Sequence, residues 1–112
     1  MPLSLEELQI NLEGALRRKP VVIGDPLAQI SRVAWCTGAA QSYFDLAIEA
    51  GVDAFITGEI SEPSAHLARE SGVAFISAGH HATERYGVQA VGDFLAQEFP
   101  LQHHFVDIEN RA

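Results

Sequence analysis

The sequence is poor in cysteine and in long apolar runs. Its 112 residues include a single cysteine, Cys36, which excludes an internal disulfide and is typical of a reducing compartment. No stretch approaches the roughly 20 apolar residues of a membrane-spanning helix, and the acidic, amphipathic N-terminal segment differs from a signal peptide. We therefore expect a cytoplasmic protein that does not enter a membrane.

Positive charge is also scarce. Seven Lys and Arg stand against fifteen Asp and Glu, which gives a net charge of -8. Such a surface repels nucleic acid, and we expect none as a partner. The one basic cluster, Arg17-Arg18-Lys19, falls where the first helix should end. Cations at that position complement the helix dipole and need no ligand to explain them.

The apolar pattern is that of one globular α/β domain over residues 1–112, since 47% of the residues are hydrophobic. Helices are predicted from Ser4 to near Pro20 and over 42–50, 62–71 and 83–99, and strands over 21–23, 33–36, 54–56, 73–78 and 105–108. Alternating helices and apolar strands predict a mixed, mostly parallel central sheet flanked by helices. The first two strands, close in sequence, could pair antiparallel at an edge.

Polar residues follow three of the predicted strands. The segments are Cys36-Thr37-Gly38, Thr57-Gly58-Glu59 and Gly79-His80-His81, and each precedes a predicted helix. Ligands of open α/β sheets bind beyond the carboxyl ends of parallel strands. We therefore expect the functional site where these three segments meet.

Within that group, His80 and Glu84 are the candidate metal ligands. They lie four residues apart and can face one point if the chain coils near residue 81. Imidazole and carboxylate are a common ligand pair for divalent ions. The alternative is structural, because a carboxylate also stabilises a helix N-terminus. His66 and His81 are weaker candidates, and two ligands alone do not complete a zinc site.

Three segments of the sequence closely resemble one known family. They read V-A-W-C-T-G-A-A-Q-S, G-V-D-A-F-I-T-G-E-I-S-E and A-G-H-H-A-T-E-R. They are similar to the C-terminal half of the Nif-three-like dinuclear metal-centre proteins, also called GTP cyclohydrolase 1 type 2 homologues, and most of all to the short bacterial branch. The resemblance implies an α/β protein whose two similar halves hold two divalent ions, assembled as a toroidal hexamer.

The resemblance also implies residue roles. The family motif G-H-x-x-[ST]-E carries ligand roles to His80 and Glu84, and the T-G-[ED] block makes Glu59 a candidate to orient a ligand or water, or to accept a proton. Family members are about twice as long, and their other ligands belong to an N-terminal half that this chain lacks. We expect a fragment or separately expressed domain, with a natural half-protein as the alternative.

Two functions follow as hypotheses. The first is that the chain forms part of a divalent-metal-dependent hydrolase, in which two ions activate a water; the resemblance implies a nucleotide-like small molecule as substrate. His and carboxylate ligands do not distinguish zinc, manganese, iron, nickel and magnesium. The second is a non-catalytic assembly or regulatory module with a structural or vestigial metal. In either case we expect the isolated chain to be inactive.

Overall fold

The computed structural model describes residues 2–112. Its elements are β1 (Leu3–Ser4), α1 (Leu5–Leu16), β2 (Val21–Ile23), β3 (Gln29–Ile30), β4 (Val33–Trp35), α2 (Phe44–Glu49), β5 (Ala54–Thr57), α3 (Glu62–Ser71), β6 (Ala74–Ser77) and α4 (His80–Glu98). A short 3-10 helix, Gln41–Tyr43, leads into α2. The predicted capping box at the start of α1 is confirmed, since Ser4 and Glu7 bind each other's backbone N–H groups.

The main sheet has four strands in the order β2-β6-β5-β4. Strands β4, β5 and β6 are parallel, and β2 runs antiparallel to β6. The mixed, mostly parallel sheet is therefore confirmed. The expectation that β2 and β4 might pair was wrong, because they lie at opposite edges. Strand β6 is apolar on both faces. A central position between β5 and β2 buries more of its surface than a position at an edge of the sheet would.

Helices cover both faces of the sheet. Leu5 of α1 packs with Ala74 and Ile76 of β6 on one face. On the other face, α2 and α3 enclose Phe44, Phe55 and Phe75. The rings of Phe44 and Phe75 meet edge to face, with centroids 4.9 Å apart. Because successive strand residues point to opposite faces, β6 contributes to both cores.

The side chain of Asp53 fixes the chain just before β4. Its Oδ2 atom accepts hydrogen bonds from the backbone N–H groups of Ser31 and Arg32, at 2.8 and 2.9 Å. These two bonds hold the pKa of Asp53 below its usual value, because they favour the charged carboxylate. The starts of β4 and β5 are thereby joined, which brings their carboxyl ends level with one another.

The C-terminal part of the chain differs from the prediction in two ways. Helix α4 begins at His80, three residues earlier than expected, because Gly79 (φ 102°) turns the chain directly out of β6. Its apolar residues Val88, Val91 and Phe94 were expected to face inward, but 58–62% of their surface is exposed. Residues 105–108 form no strand in the described chain, and Asp107 within them contacts Arg17 and His81.

No helix within residues 2–112 is both long and apolar enough to cross a membrane.

Candidate metal centre

Backbone hydrogen bonds join the three segments that follow the parallel strands. The N–H of Gly58 donates to the carbonyl of Gly38 at 2.9 Å, and the N–H of Gly79 donates to the carbonyl of Gly58 at 3.1 Å. A Cβ on Gly58 would lie 2.5 Å from the Gly38 carbonyl oxygen and 2.7 Å from the Cα of His80, so only glycine allows this approach. The predicted meeting of the three segments is confirmed.

His80 lies between two carboxylates at this edge. Its Nδ1 atom is 2.7 Å from Oε1 of Glu59, and its Nε2 atom is 3.1 Å from Oε2 of Glu84. Because α4 begins at His80, Glu84 lies one turn further along the same helix face. The side chains of Glu59, His80 and Glu84 are 42%, 34% and 51% exposed, so the cluster opens to solvent on one side.

The contact between Glu59 and His80 shifts both pKa values. The hydrogen bond from His80 lowers the pKa of Glu59, and the same bond raises the pKa of His80. Partial burial opposes both shifts, and the nearby Glu84 carboxylate raises the pKa of His80 further. The metal-free cluster therefore favours a protonated imidazole between two carboxylates.

The loop after β4 holds the far side of Glu59. The side-chain amide of Gln41 donates to the hydroxyl of Ser61 at 3.2 Å and reaches Oε2 of Glu59 at 3.5 Å. The Oε1 atom of Gln41 is buried without a hydrogen-bond partner in the described chain. One Glu59 oxygen thus faces His80 and the other faces Gln41, which limits rotation of the carboxylate.

Two residues without charge shape the side of the cluster near Glu84. The hydroxyl of Thr83 donates to the Gly79 carbonyl at 2.8 Å and accepts from the Gly38 N–H at 3.1 Å, so it ties the β4 loop to α4. Gly38 has φ 75°, and a Cβ there would collide with the Glu84 carboxylate and lie 3.3 Å from Nε2 of His80. The missing Cβ leaves room beside both candidate ligands.

The two weaker candidates lie outside this cluster. His66 is exposed on α3, and its Nε2 atom is 3.7 Å from the carboxylate of Glu62 on the same helix. His81 contacts Asp107 of the C-terminal segment, with 3.2 Å between Nε2 and Oδ1. The structure brings together Glu59, His80 and Glu84, and it places neither His66 nor His81 with them.

The pair His80 and Glu84 fits a divalent ion as part of its ligand set. Their 3.1 Å separation is close to that of two donor atoms that each lie about 2.0–2.2 Å from one ion. Metal-bound histidines usually donate their second ring N–H to a carboxylate, and Glu59 offers one. Within residues 2–112, no group of three or more His, Cys, Asp or Glu side chains is placed to hold an ion.

Sequence reasoning singled out the three charged residues, and it placed Gly38, Thr57 and Thr83 near them without giving these neutral residues a task. Gln41, Gly38 and Thr83 each contact or border the cluster, and Thr57, fully buried, accepts from the Ala40 N–H at 3.2 Å. One signal was available for Gln41, because it is the one long polar side chain in the small-residue loop after β4. Nothing in the spacing indicates the contact between Gly38 and Glu84.

The fold and this cluster define an α/β domain with two candidate metal ligands at the start of α4, beside the carboxyl ends of its parallel strands. A family model described as Duf34/NIF3 (NGG1p interacting factor 3) matches residues 1–111. The chain belongs to the Duf34/NIF3 family, which confirms the resemblance.

Relatives of known sequence carry the name GTP cyclohydrolase 1 type 2 homolog. The chain is 52% identical over 111 residues to the one from Pseudomonas aeruginosa, a match covering 99% of this chain and 44% of that protein. It is 50% identical over 113 residues to the one from Escherichia coli, a match covering all of this chain and 46% of that protein. The chain thus spans less than half the length of these curated relatives.

Solved structures share the fold. The chain superimposes with a TM-score of 0.95 and 50% identity on protein ybgI, a structural-genomics target described as of unknown function, and covers 46% of it. A structure from Thermus thermophilus gives a TM-score of 0.87 at 26% identity, with 98% of this chain and 44% of that chain covered. The expected α/β architecture of one half of a Nif-three-like protein is confirmed.

Proposed function

We propose that this chain supplies two ligands, His80 and Glu84, to a divalent-metal site of a metal-dependent hydrolase. The observation that carries the proposal is the alignment of Glu59, His80 and Glu84, with one imidazole nitrogen on each carboxylate. Names of the relatives and the shared fold support it at the level of the family. The other ligands of this site would come from groups outside this chain. The same groups would complete the site of the second ion in a dinuclear centre.

Each residue of the cluster has a definite task in this proposal. Glu59 accepts the Nδ1 proton of His80 and so directs Nε2 toward Glu84. The carboxylate of Glu84 places a negative charge beside the position that a cation would occupy. The position of Glu59 supports an orienting role, because both of its oxygens face protein donors. When bound, the ions would lower the pKa of a water molecule and polarise a substrate.

A paramagnetic ion tests the ligand pair even when binding is weak. Mn²⁺ added to the isotope-labelled chain should first broaden the NMR signals of His80, Glu84 and Gly38. His80→Ala and Glu84→Ala should each remove that broadening, and His66→Ala, which changes an exposed histidine outside the cluster, should leave it unchanged. Broadening that is unaffected by both cluster variants, or is centred on another carboxylate group, would exclude the assignment.

The hydrolase part of the proposal needs a separate experiment in a longer family protein that contains this domain. Turnover of a panel of nucleotides and phosphoesters should require added divalent metal and should fall in the variant that corresponds to Glu84→Ala. A purine nucleotide is the first substrate class to try, because the relatives carry the cyclohydrolase name. Tight metal binding without any turnover on the panel would favour a structural metal instead.

A separate observation favours a second candidate function, which is assembly with another protein surface. Val88, Val91 and Phe94 expose most of their surface along one helix, α4, and Phe99 and Leu101 beyond it are also exposed. Exposed apolar groups of this kind mark interaction surfaces. A toroidal hexamer is the proposed assembly. Sedimentation velocity should show self-association that Val91→Glu abolishes, and a monomeric wild-type chain at high concentration would argue against it.

A further inference from the structure

Positive charge is concentrated in one cleft between the end of α1, the start of α4 and the C-terminal segment 99–112. The cleft has a volume of about 460 Å³, within the usual range for small-molecule sites. The side chains that matter are Arg17, Arg18, Arg85, Arg111, His81 and Asp107. Four of the seven basic residues of a chain with net charge -8 therefore line one cavity, which we call the arginine cleft.

The charges in the arginine cleft do not balance. Its side chains include four guanidinium groups but only two carboxylates, Asp107 and Glu109, and Arg18 donates to the main-chain oxygen of Ala112. Within residues 2–112, neither Arg18 nor Arg111 has a carboxylate of Asp or Glu within 4.0 Å. Like charges gathered without enough counter-charges repel one another, so the cleft attracts an additional anion.

The buried guanidinium group of Arg85 also lacks acceptors for some of its N–H groups. Its side chain is only 10% exposed, and its buried Nε–H has no hydrogen-bond partner in the described chain. One terminal nitrogen donates to the Leu16 carbonyl, and the other is 4.0 Å from Asp107, too far for a good hydrogen bond. A buried guanidinium with an unused donor is costly, and because Arg85 lines the cleft, an anion bound there would offset part of the cost of its charge.

Backbone donors add to the arginines. The N–H of His81, in the first turn of the 19-residue helix α4, donates to the main-chain oxygen of Ala112 at 3.1 Å. Arg18 donates to the same oxygen at 2.7 Å. A helix N-terminus and a guanidinium that converge on one oxygen are the arrangement that proteins use for phosphate oxygens.

The protein's own C-terminal segment occupies part of this place. Asp107 lies 3.3 Å from Arg17 and 3.2 Å from His81, and these contacts hold a segment that contains no helix or strand. A single carboxylate supplies one negative charge and two oxygens, whereas a phosphate supplies more of both. Asp107 therefore neutralises only part of the positive charge of the arginine cleft.

We propose that the arginine cleft is a binding site for a phosphate group, and that this phosphate competes with the side chain of Asp107 and with the main-chain oxygen of Ala112 for the same donors. Arg17, Arg18 and Arg111 would bind its oxygens with guanidinium forks, and the N-terminus of α4 would face it. The inference does not depend on the metal proposal, because no contact with His80 or Glu84 enters it.

Titration of the labelled chain with inorganic phosphate at constant ionic strength tests the proposal. The amide signals of His81, Ala82 and Arg85 should shift in a saturable way. Asp107→Asn keeps the side-chain shape but removes the competing charge, and it should tighten binding about tenfold. Arg18→Gln should weaken binding by about the same factor. Arg69→Gln, an arginine on α3 outside the cleft, should have no effect.

Two additional measurements identify the ligand and provide a second variant in case the first one does not fold. Glycerol phosphate in place of inorganic phosphate tells whether the site takes a phosphomonoester or only the free ion. Glu109→Gln is a second charge-removing variant in case Asp107→Asn does not fold, and it should also tighten binding. The proposal is overturned if wild type and both variants show no saturable shifts up to about 10 mM phosphate, or if Arg18→Gln binds as tightly as wild type.

Discussion

The Nδ1 atom of His80 lies 2.7 Å from Oε1 of Glu59, and this contact joins the ends of two neighbouring parallel strands. The imidazole is fixed at one nitrogen by the end of β5, while its other nitrogen faces Glu84 on α4. A histidine held in this way has a defined ring orientation before any ion arrives. Substitutions of Glu59 and of His80 separate this orienting role from direct metal ligation.

Glu59→Gln should weaken metal binding without abolishing it. The amide keeps the size of the side chain but no longer stabilises the Nδ1 proton with a charge, and loss of such partners lowers metal affinity about 10–100-fold. Titration with Zn²⁺, followed by calorimetry, measures the change. Glu62→Gln, which alters the exposed partner of His66, is the matched control. If Glu59→Gln removed binding as completely as His80→Ala, Glu59 would instead be a ligand.

Gly38→Ala should close the space beside the ligand pair. The new methyl group would meet the Glu84 carboxylate, and the φ of 75° is unfavourable for alanine. We expect a loss of about 1 kcal/mol or more in the free energy of unfolding, together with loss of metal binding. Gly14→Ala, in α1 with open space around it, should stabilise the protein by about 0.5–1 kcal/mol. Metal binding retained in Gly38→Ala would contradict the proposed place of the ion.

The stability of the metal-free protein should depend on pH through the pair Glu59 and His80. The raised pKa of His80 gives stability that is complete below its usual value of 6.5 and is lost as pH rises through the raised value. The lowered pKa of Glu59 gives stability that is complete above its usual value of 4.5 and is lost as pH falls through the lowered value. The contribution of the pair is therefore greatest between about pH 4.5 and 6.5.

Thermal unfolding in the presence of a chelator checks this window. The difference in Tm between wild type and His80→Gln should be largest inside it and should shrink above it, and His66→Gln should show no such profile. Added Zn²⁺ should reverse the trend, because the ion competes with the Nε2 proton and binds better at higher pH. A difference in Tm that stays constant from pH 4 to 9 would rule out the ion pair as a source of stability.

Phe75→Ala should be among the most destabilising single changes. Its ring is fully buried and contacts both Phe44 and Phe55, so truncation leaves a cavity in the core under α2 and α3. We expect a loss of about 3–5 kcal/mol in the free energy of unfolding, measured by urea titration. Phe94→Ala, an exposed phenylalanine on α4, should cost less than about 1 kcal/mol in the same assay. Equal losses would mean that the exposed face of α4 is covered in solution.

Local patterns determined much of this protein. The capping box at Ser4 and Glu7, the apolar strands β5 and β6, and the four-residue spacing of His80 and Glu84 all act over a few residues, so the sequence could be interpreted without knowledge of the fold. The rule that parallel strands place their carboxyl ends at one edge then brought Glu59 near His80 in the prediction. The fold class and the place of the candidate site followed from these features.

Only the tertiary structure decided the long-range contacts. It placed β2 beside β6, left the apolar face of α4 exposed, and turned His81 toward Asp107 and away from the cluster. It also gathered Arg17, Arg85 and Arg111 from distant parts of the chain into one cleft. Such contacts depend on which surfaces compete for burial and charge once the sheet has formed, and no periodicity of 2 or 3.6 residues records that outcome.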